Sequence, residues 1–332
     1  MSRHVVITGG AGFIGHHTIE HLLKNTDWYI TTVDRLTYAG NLNRLTDIDC
    51  WEKEKGRVRF VYHDFRAPLP ASRLWEYFSK PSYFIHMGAE SHVDRSIQNP
   101  VLFAESNVVG TVNMLETARD LDIQKFLYVS TDEVYGPSID GHLHKEGEPH
   151  KPGNPYSASK SAGESFVYSY WNTYGLPVII TNTMNNFGER QDVEKFVPKV
   201  IRAIANGEPV TIHVKMEHGT TITDISSRCW LHARNHADAI MFLLEKGTPG
   251  ERYNVTGDRY NVADIACMIA NFMKLPPFLV NEDFHSFRRG HDMHYGLDGT
   301  KLAECGWKPP LDMFSSLERT VNWYMNHREW LQ

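Results

Sequence analysis

The chain has 332 residues, of which 41% are hydrophobic, so it is long enough for one large or two unequal domains with a sizeable core. The net charge of −6, without a basic run, argues against nucleic acid or an anionic membrane as the main partner. The apolar runs are too short to predict a membrane span, and the N-terminus lacks the layout of a signal peptide.

Cysteine and histidine usage predicts neither disulfides nor a metal site. The four cysteines lack Cys-x-x-Cys spacing, so we expect ordinary thiols in a reducing, cytoplasmic compartment. There are 18 histidines, but no His-Glu-x-x-His motif and no cysteine that partners a histidine. We therefore expect structural or pH-sensitive roles for the histidines and no metal.

The first predicted unit is a strand over 4–8, a glycine-rich turn over 9–15 and a helix over 16–24. Glycines in such a turn let the backbone approach a pyrophosphate, and the start of the helix offers free N–H groups. The unit predicts a dinucleotide site formed by Gly9, Gly12, Phe13, Ile14 and Gly15.

The second strand, 29–33, ends at Asp34, about 20 residues after the glycine turn, where an acid that binds the adenosine ribose is expected. A carboxylate there repels a 2′-phosphate, so NAD is favoured over NADP. The neighbouring Arg35 leaves NADP open.

Further strands are predicted over 58–62 and 83–86. Asp64, with Phe65 beside it, follows the first of these and is a candidate adenine contact, although an acid of a surface loop fits equally well. Gly88 and Ala89 follow the second and leave room for the cofactor.

A helix over about 101–120 and a strand over 125–129 continue the alternation, which predicts a Rossmann-type, doubly wound parallel α/β sheet. The later predicted elements are a strand over 178–181, a helix over 236–246, a strand over 252–255 that returns to the main sheet, and a helix over 262–272. We assign 1–184 and 229–258 to the NAD-binding domain. Residues 185–228 and 259–332 then form a smaller, discontinuous α/β substrate-binding part.

Thr131, Asp132 and Glu133 follow the strand over 125–129, where side chains face the ligand crevice of such a sheet. Because Asp132 and Glu133 are adjacent like charges, partial burial lets one of them hold a proton at neutral pH, as an acid–base pair requires. The alternative is a pair of solvated turn residues or a helix cap.

Tyr156 and Lys160 are four residues apart and share one face of a predicted helix. Lowering a tyrosine pKa from about 10 to about 7 takes roughly 4 kcal/mol, which one ammonium about 4 Å away can supply. Tyr156 would then be a base for a sugar hydroxyl. The alternative is an amphipathic helix with an exposed lysine.

With these motifs, the chain resembles the extended short-chain dehydrogenase/reductase family, and within it the dTDP-glucose 4,6-dehydratases. The stretches that carry the resemblance are 8–15, 36–41, 88–96, 130–136 and 156–160. The glycine turn and the Tyr–Lys pair mark the superfamily. The acids after Thr131 and the run Glu-Ser-His-Val-Asp-Arg-Ser mark a narrower group within that superfamily.

The resemblance implies a redox-neutral dehydration with bound NAD. Tyr156 would deprotonate the C4 hydroxyl of a nucleoside-diphosphate hexose, Glu133 would remove the C5 proton, and Asp132 would protonate the departing C6 hydroxyl. Thr131 would polarise the C4 oxygen. Additional contacts implied near the nicotinamide are Ser91, Asn107 and Ser130.

The resemblance also assigns substrate contacts in the second half, where the match weakens. These residues are Asn185, Asn186, Glu194, Lys195, Arg228, Arg288, His291 and Tyr295, with Ser91 from the first half. Departures from the family pattern at Asn182, Phe187, Glu189, Cys229, Met293 and His294 leave the nucleotide and the sugar open.

A homodimer through the helices near 101–119 and 157–174 is the family expectation. The rival enzyme is a sugar-nucleotide epimerase or decarboxylase on the same scaffold. A rival of another class is a catalytically silent NAD-sensing protein.

Overall fold

The computed structural model describes residues 2–218, 221–284 and 291–332. Its strands are β1 (His4–Thr8), β2 (Tyr29–Asp34), β3 (Val58–Tyr62), β4 (Tyr83–His86), β5 (Lys125–Thr131), β6 (Val178–Thr183), β7 (Asn186–Phe187), β8 (Pro209–Glu217), β9 (Thr221–Ile225), β10 (Ser227–His232), β11 (Arg252–Val255), β12 (Asp258–Asn261) and β13 (Phe278–Asp283).

The helices are α1 (Phe13–Asn25), α2 (Asn43–Thr46), α3 (Trp51–Glu54), α4 (Val93–Gln98), α5 (Pro100–Ala104), α6 (Gly110–Leu121), α7 (Pro155–Tyr174), α8 (Phe196–Asn206), α9 (Ala233–Lys246), α10 (Val262–Met273), α11 (Thr300–Glu304) and α12 (Met313–Asn326). Within the described ranges, none of them combines the length and apolar character that a membrane crossing requires.

Seven parallel strands form the main sheet in the order β3-β2-β1-β4-β5-β6-β11. Both faces are covered, so strands such as β1 are buried along their whole length. The strand order reverses between β1 and β4, and ligands bind at such a switch point, outside the carboxyl ends of the strands. The predicted doubly wound fold is confirmed, including the return of β11 to the sheet beside β6.

The predicted helix over 101–120 is divided by a π-helical turn. Asn99 caps α5 by accepting the Leu102 N–H at 3.3 Å, and Pro100 occupies the first turn, where its missing N–H costs nothing. The turn over Glu105–Val109 separates α5 from α6. Such bulges are frequent at functional sites, and this one contains Asn107.

Two smaller sheets complete the fold, β12-β10-β7 and β13-β8-β9. They pack with α8, α10 and α12 around a second apolar core that includes Ile201, Ile212, Ile265 and Leu317. β10 pairs with β7 and β12 and lies outside the main sheet, although most of it falls within the segment 229–258 that the sequence analysis assigns to the NAD-binding domain.

A buried charge cluster fixes α1 against the second core. The Glu189 carboxylate lies 3.1 Å from Arg319, 3.4 Å from Arg234 and 3.3 Å from the His232 ring. Burial alone would raise the pKa of Glu189, but the hydrogen bond and charge of His232, with the charges of His17 and Arg234, hold it well below its usual range. His17, on α1, lies 3.1 Å from the Glu189 carbonyl oxygen, so the cluster orients the cofactor-side helix.

Candidate active site

The glycine turn lies at the carboxyl end of β1, where two backbone segments come too close for side chains. Gly9 has φ +76°, and a Cβ there would lie 2.8 Å from the Gly88 Cα. A Cβ on Gly15 would lie 2.1 Å from the Gly9 carbonyl oxygen. Gly12 caps α1 without a side chain, so the first N–H groups of the helix stay open to an anion.

Asp34 is the last residue of β2 and lines the cleft at the glycine turn. Its oxygens accept the Ala11 N–H at 3.0 Å and the Leu36 N–H at 2.8 Å. Burial raises the pKa of Asp34, and these two hydrogen bonds oppose the rise. The carboxylate is therefore held in place at the position that the sequence predicts for the ribose acid.

Arg35 is bound to acids of its own chain. Its guanidinium donates to Glu90 at 2.6 Å and to Asp64 at 3.3 Å, and it is largely buried. A 2′-phosphate would have to compete with Glu90 and Asp64 for this guanidinium.

Asp64 does not line the cleft, whereas Phe65 does. Partial burial on its own would raise the pKa of Asp64. Hydrogen bonds from Arg66 and the charge of Arg35 outweigh this effect and bring the pKa to about 2. Two arginines of the chain, Arg35 and Arg66, engage its carboxylate, and the adenine contact of Asp64 stays a prediction.

Helix α7 places Tyr156 and Lys160 at the cleft, because Asn154 and Ser157 form a capping box that fixes its first turn. The Lys160 ammonium donates to the Val129 carbonyl oxygen at 2.8 Å and lies 4.1 Å from the centre of the Tyr128 ring. Burial lowers the pKa of Lys160 to about 7, against the opposing charge of Glu164.

The environment of Tyr156 within the chain raises its pKa, and the lowering that catalysis requires stays a prediction. Burial raises the pKa above its ordinary value, the negative charge of Glu133 adds to the rise, and a hydrogen bond with Thr131 opposes it. Additional positive charge at the site is therefore needed to make Tyr156 a base near neutral pH.

Thr131, Asp132 and Glu133 all line the same cleft as Tyr156. The Thr131 hydroxyl donates to Asp132 at 3.0 Å and accepts the Glu133 N–H at 3.3 Å. Burial, followed by the charge of Glu133, raises the pKa of Asp132 to about 7. Asp132 thus exchanges its proton near neutral pH, as a general acid does.

Glu133 has a different environment. Burial raises its pKa, but a 3.0 Å hydrogen bond from the Asn154 carboxamide and the charge of Arg228 favour the ionised form. The surroundings of the two neighbouring carboxyl groups therefore affect their pKa values differently. An acid–base pair needs such a difference.

Asn107 is buried beneath the cleft and is not part of its lining. Its amide nitrogen donates to the Glu90 carbonyl oxygen and to the Ser159 hydroxyl, and its oxygen accepts the Glu90 N–H, each at 2.9 Å. It ties the segment after β4 to α7. Gly88, Ala89, Ser91 and Ser130 do line the cleft, as do Phe13 and Ile14.

The predicted contacts Asn185, Asn186, Glu194 and Lys195 line the same cleft. Glu194 accepts the Tyr38 hydroxyl hydrogen bond at 3.0 Å and lies 3.7 Å from Arg95, whose guanidinium stacks 3.4 Å from the centre of the Tyr38 ring. Sequence reasoning missed Tyr38 as a cleft residue. Its stretch 36–41 was only part of the resemblance, and the bridge to Glu194 spans 156 positions.

Arg228, His291 and Tyr295 are not part of the cleft lining. The Arg228 guanidinium donates to the Ser227 and Asp292 carbonyl oxygens at 2.7 and 2.8 Å and lies 4.6 Å from the centre of the Tyr295 ring. Its charge nevertheless reaches both catalytic candidates, Asp132 and Glu133. The predicted contact Arg288 lies outside the described residues.

The doubly wound sheet, the glycine turn and the Tyr-x-x-x-Lys helix at one cleft define a short-chain dehydrogenase/reductase. The family model described as GDP-mannose 4,6 dehydratase matches residues 6–320. The chain therefore belongs to this family of sugar-nucleotide dehydratases within the extended short-chain dehydrogenases/reductases.

Relatives match along nearly the whole chain. The dTDP-glucose 4,6-dehydratase of Salmonella typhimurium is 36% identical, across 98% of this chain and 94% of the relative. The low-salt glycan biosynthesis protein Agl12 of Haloferax volcanii is also 36% identical, across 98% of this chain and 99% of its own.

Solved structures show the same fold. DesIV, a dTDP-glucose 4,6-dehydratase from Streptomyces venezuelae with NAD and TYD bound, is 34% identical with a TM-score of 0.85, covering 99% of this chain and all of DesIV. A Thermus thermophilus UDP-glucose 4-epimerase complex with NAD is 27% identical with a TM-score of 0.84, covering 97% of this chain and 99% of the epimerase. The fold is thus shared by dehydratases and epimerases, and the site has to distinguish them.

Proposed function

We propose that this protein is an NAD-dependent sugar-nucleotide 4,6-dehydratase that converts a nucleoside-diphosphate hexose to its 4-keto-6-deoxy product. The observation that carries the proposal is the placement of Asp132 and Glu133 in the same cleft as Tyr156, with different partners for the two carboxyl groups. Oxidation and reduction alone do not need this second pair of proton-transfer groups.

The residues at the cleft fit a dinucleotide. Gly9 and Gly15 form a cradle that a Cβ would fill, and the open start of α1 can receive a pyrophosphate. The Ser130 hydroxyl is buried and has no hydrogen-bond partner within the described part of the chain, so a ligand can form a hydrogen bond with it. Asp34 would take the adenosine ribose, and Phe65, Gly88 and Ala89 would shape the remaining surface.

Bound NAD supplies a hydride acceptor for C4 of the hexose and a hydride donor for C6, and its positive charge lowers the pKa of Tyr156. Tyr156 takes the proton of the C4 hydroxyl, while the Thr131 hydroxyl turns its proton from Asp132 to the C4 oxygen. Glu133 removes the C5 proton, which the C4 ketone has acidified. Asp132 gives its proton to the departing C6 hydroxyl, which leaves as water. As the hydride returns to C6, Glu133 would give its proton back to C5, and the proton taken by Tyr156 balances the one that Asp132 lost.

The sugar nucleotide would lie between Ser91 and the segment that carries Asn185, Asn186, Glu194 and Lys195. The side-chain oxygen of Asn186 is buried and lacks a hydrogen-bond partner among the described residues, so a substrate hydroxyl can satisfy it. Lys195 supplies a positive charge for the diphosphate. We assign Arg228 to the diphosphate, and Arg288, His291 and Tyr295 to the nucleotide, as the resemblance implies.

The test is product analysis with dTDP-glucose and GDP-mannose as separate substrates. We expect a 4-keto-6-deoxy sugar from at least one of them, without consumption of added NAD. With substrate deuterated at C4, the label should reappear at C6, because the hydride returns within one molecule. A product that keeps its 6-hydroxyl would favour the epimerase alternative and contradict dehydration.

We also propose that the segments 1–184 and 229–258 bind NAD, while 185–228 and 259–332 bind the sugar nucleotide. The seven strands of the main sheet and the predicted NAD contacts lie in the first set. Calorimetric titration of NAD and of dTDP into variants of Asp34 and Lys195 would test the assignment. The Asp34 variant should weaken the binding of NAD far more than that of dTDP, and the Lys195 variant should do the reverse.

A homodimer is proposed through α5, α6 and α7. These helices and the π turn expose large apolar side chains, namely Val101, Val109, Phe166, Trp171 and Tyr174. Burial of such a surface against its two-fold copy would remove it from water. Sedimentation equilibrium of the full chain should give twice the monomer mass, and charged substitutions at Val101 and Phe166 together should give the monomer.

We place the protein in the cytoplasm. All four cysteines, Cys50, Cys229, Cys267 and Cys305, are free thiols, which suits a reducing compartment. Fractionation of the source cells, followed by detection with a specific antibody, tests this location.

A further inference from the structure

Two histidines and a glutamate meet in the loop over 137–154, which connects the turn after β5 to α7. Glu148 Oε2 lies 3.0 Å from His142 Nε2 and 2.8 Å from His144 Nδ1. The three candidate ligand atoms all lie within 4.8 Å of one another. None of these residues takes part in the proposed dehydration.

His144 is rigidly placed. Its backbone N–H donates to the Gly296 carbonyl oxygen at 3.0 Å, and its own carbonyl oxygen accepts the Asp298 N–H at 2.9 Å. The Asn254 carboxamide donates to the same oxygen at 2.9 Å. The ring also stacks on Tyr135, with 5.3 Å between ring centres and 11° between planes. The direction of the ring is therefore set before any ligand binds.

Both ring nitrogens of His144 face oxygens that can only accept a hydrogen bond. Nε2 lies 3.3 Å from the Pro137 carbonyl oxygen, and Nδ1 lies 2.8 Å from the Glu148 carboxylate. A neutral imidazole has one N–H, so it leaves one of these contacts between two acceptors, which repel each other. A metal ion at Nδ1, with the proton on Nε2, removes that repulsion, as a second proton would.

A histidine that ligates a metal ion usually donates its other ring N–H to a carboxylate or a backbone carbonyl oxygen, as His144 Nε2 can to Pro137. We propose that His142, His144 and Glu148 bind one divalent first-row transition metal ion, such as Zn²⁺, through His142 Nε2, His144 Nδ1 and a Glu148 oxygen. Two imidazole nitrogens and one carboxylate favour such an ion over Mg²⁺ or Ca²⁺, which prefer oxygen ligands.

The geometry needs only small adjustment. Ligands about 2.1 Å from a tetrahedral ion lie roughly 3.4 Å apart, so the His144 and Glu148 atoms separate slightly as the ion enters. The side chain of His142 is 52% exposed, which leaves it free to close on the ion and leaves a fourth position for water. The ion would link two parts of the loop over 137–154 to each other. This link would lie near the place where the loop contacts residues 296–298.

This proposal departs from the absence of metal that the sequence analysis expects, and it does not depend on the proposed function. The sequence analysis considered His-Glu-x-x-His spacing and Cys–His partners, whereas this set is His-x-His-x-x-x-Glu in a loop. The loop also leads to Asn154, which contacts Glu133. The ion is therefore expected to stabilise the border of the cleft without touching the reacting atoms.

The test uses the full chain after treatment with a chelator and titration with Co²⁺ or Zn²⁺ alone. We expect saturable binding of one ion per chain, with the visible absorption of a low-symmetry Co²⁺ site. His142→Ala and Glu148→Gln should each weaken binding at least about tenfold. His63→Ala is the matched control, since the His63 ring lies against the Ala67 carbonyl oxygen, and it should bind like the wild type.

Thermal melts with and without Zn²⁺ provide a second measurement. Zn²⁺ should raise the melting temperature of the wild type and of His63→Ala, and should leave those of the two ligand variants unchanged. The proposal is overturned by the lack of one-to-one binding in the wild type, or by equal affinities in all four proteins. It is also overturned if nitrogen NMR in the presence of Zn²⁺ shows both His144 ring nitrogens protonated.

Discussion

The side chain of Asn154 joins the helix that carries Tyr156 to the acid at the end of β5. Its carboxamide nitrogen donates to Glu133 at 3.0 Å, while its oxygen accepts the Ser157 N–H at 2.8 Å and caps α7. One residue thus sets the start of the Tyr156 helix and favours the ionised form of Glu133. Because the two contacts use different atoms of the side chain, substitutions can remove the contact with Glu133 with or without the helix cap.

Asn154→Ala removes both contacts, whereas Asn154→Ser keeps a good cap with a side chain too short to reach Glu133. We expect the alanine variant to lose about 1 kcal/mol of unfolding free energy and the serine variant to lose little. Both should raise the pKa of Glu133, so the acidic limb of the kcat profile should move about one unit to higher pH. Urea unfolding and pH–rate profiles measure these effects, and an unmoved limb would exclude Asn154 as a positioning residue.

Glu133→Gln should separate oxidation at C4 from proton loss at C5. Because general acid–base groups contribute about 10²- to 10⁴-fold, turnover should fall by that factor. Reduced-nicotinamide absorbance should accumulate on the enzyme after mixing with substrate, since Tyr156 is intact. Glu76→Gln, at an exposed acid, is the control and should turn over normally. Normal turnover of Glu133→Gln would remove Glu133 from its proposed role.

Asp132→Asn should stabilise the protein while it abolishes most activity. The folded-state pKa of Asp132 is raised from 3.8 to about 7, so the folded protein holds this proton more tightly than the unfolded chain. Wild-type stability associated with this group is therefore full at low pH and is lost as the pH rises through that window. The gain from asparagine should be larger at about pH 8 than at about pH 5, by about 2 kcal/mol.

Urea unfolding of both proteins at the two pH values checks this prediction. Equal gains at the two values would show that Asp132 does not titrate near neutrality. The wild-type kcat should also fall above about pH 7, because the general acid must be protonated before it can donate.

Asp34→Asn should weaken NAD binding by about 10- to 100-fold, since hydrogen bonds to a charged group are stronger than those to a neutral one. The loss for NADP should be smaller, because the substitution also removes a charge that repels the 2′-phosphate. Fluorescence titration of both cofactors measures the ratio. Asp120→Asn, at an exposed acid on α6, is the control, and equal losses for both cofactors would contradict the role of Asp34.

Local patterns predicted the cofactor side of the fold well. The strands over 4–8, 58–62, 83–86 and 252–255 have the predicted bounds, because buried parallel strands are short apolar runs that turn residues delimit. The predicted helix over 101–120 was wrong in one respect, because it contains the π turn. That turn surrounds Asn107, whose bonds to Glu90 and Ser159 join residues far apart in the chain.

The electrostatics of the site were less accessible to sequence reasoning. Spacing places Tyr156 and Lys160 on one helix face, but it does not show that the Lys160 ammonium is directed to the Val129 carbonyl oxygen. It also does not show that Arg66 and Arg35 form ion pairs with the Asp64 carboxylate. These contacts depend on which distant groups share the same buried volume.

The sequence by itself determined the strands of the main sheet, the glycine turn and the position of the acid pair after β5, because each depends on the periodicity and chemistry of neighbouring residues. Only the tertiary structure decided the different partners of Asp132 and Glu133, how Tyr38 reaches Glu194, and that His142, His144 and Glu148 converge. The physical reason is that pKa values and ligand sets depend on burial and on charges brought together from distant segments, which no local pattern encodes.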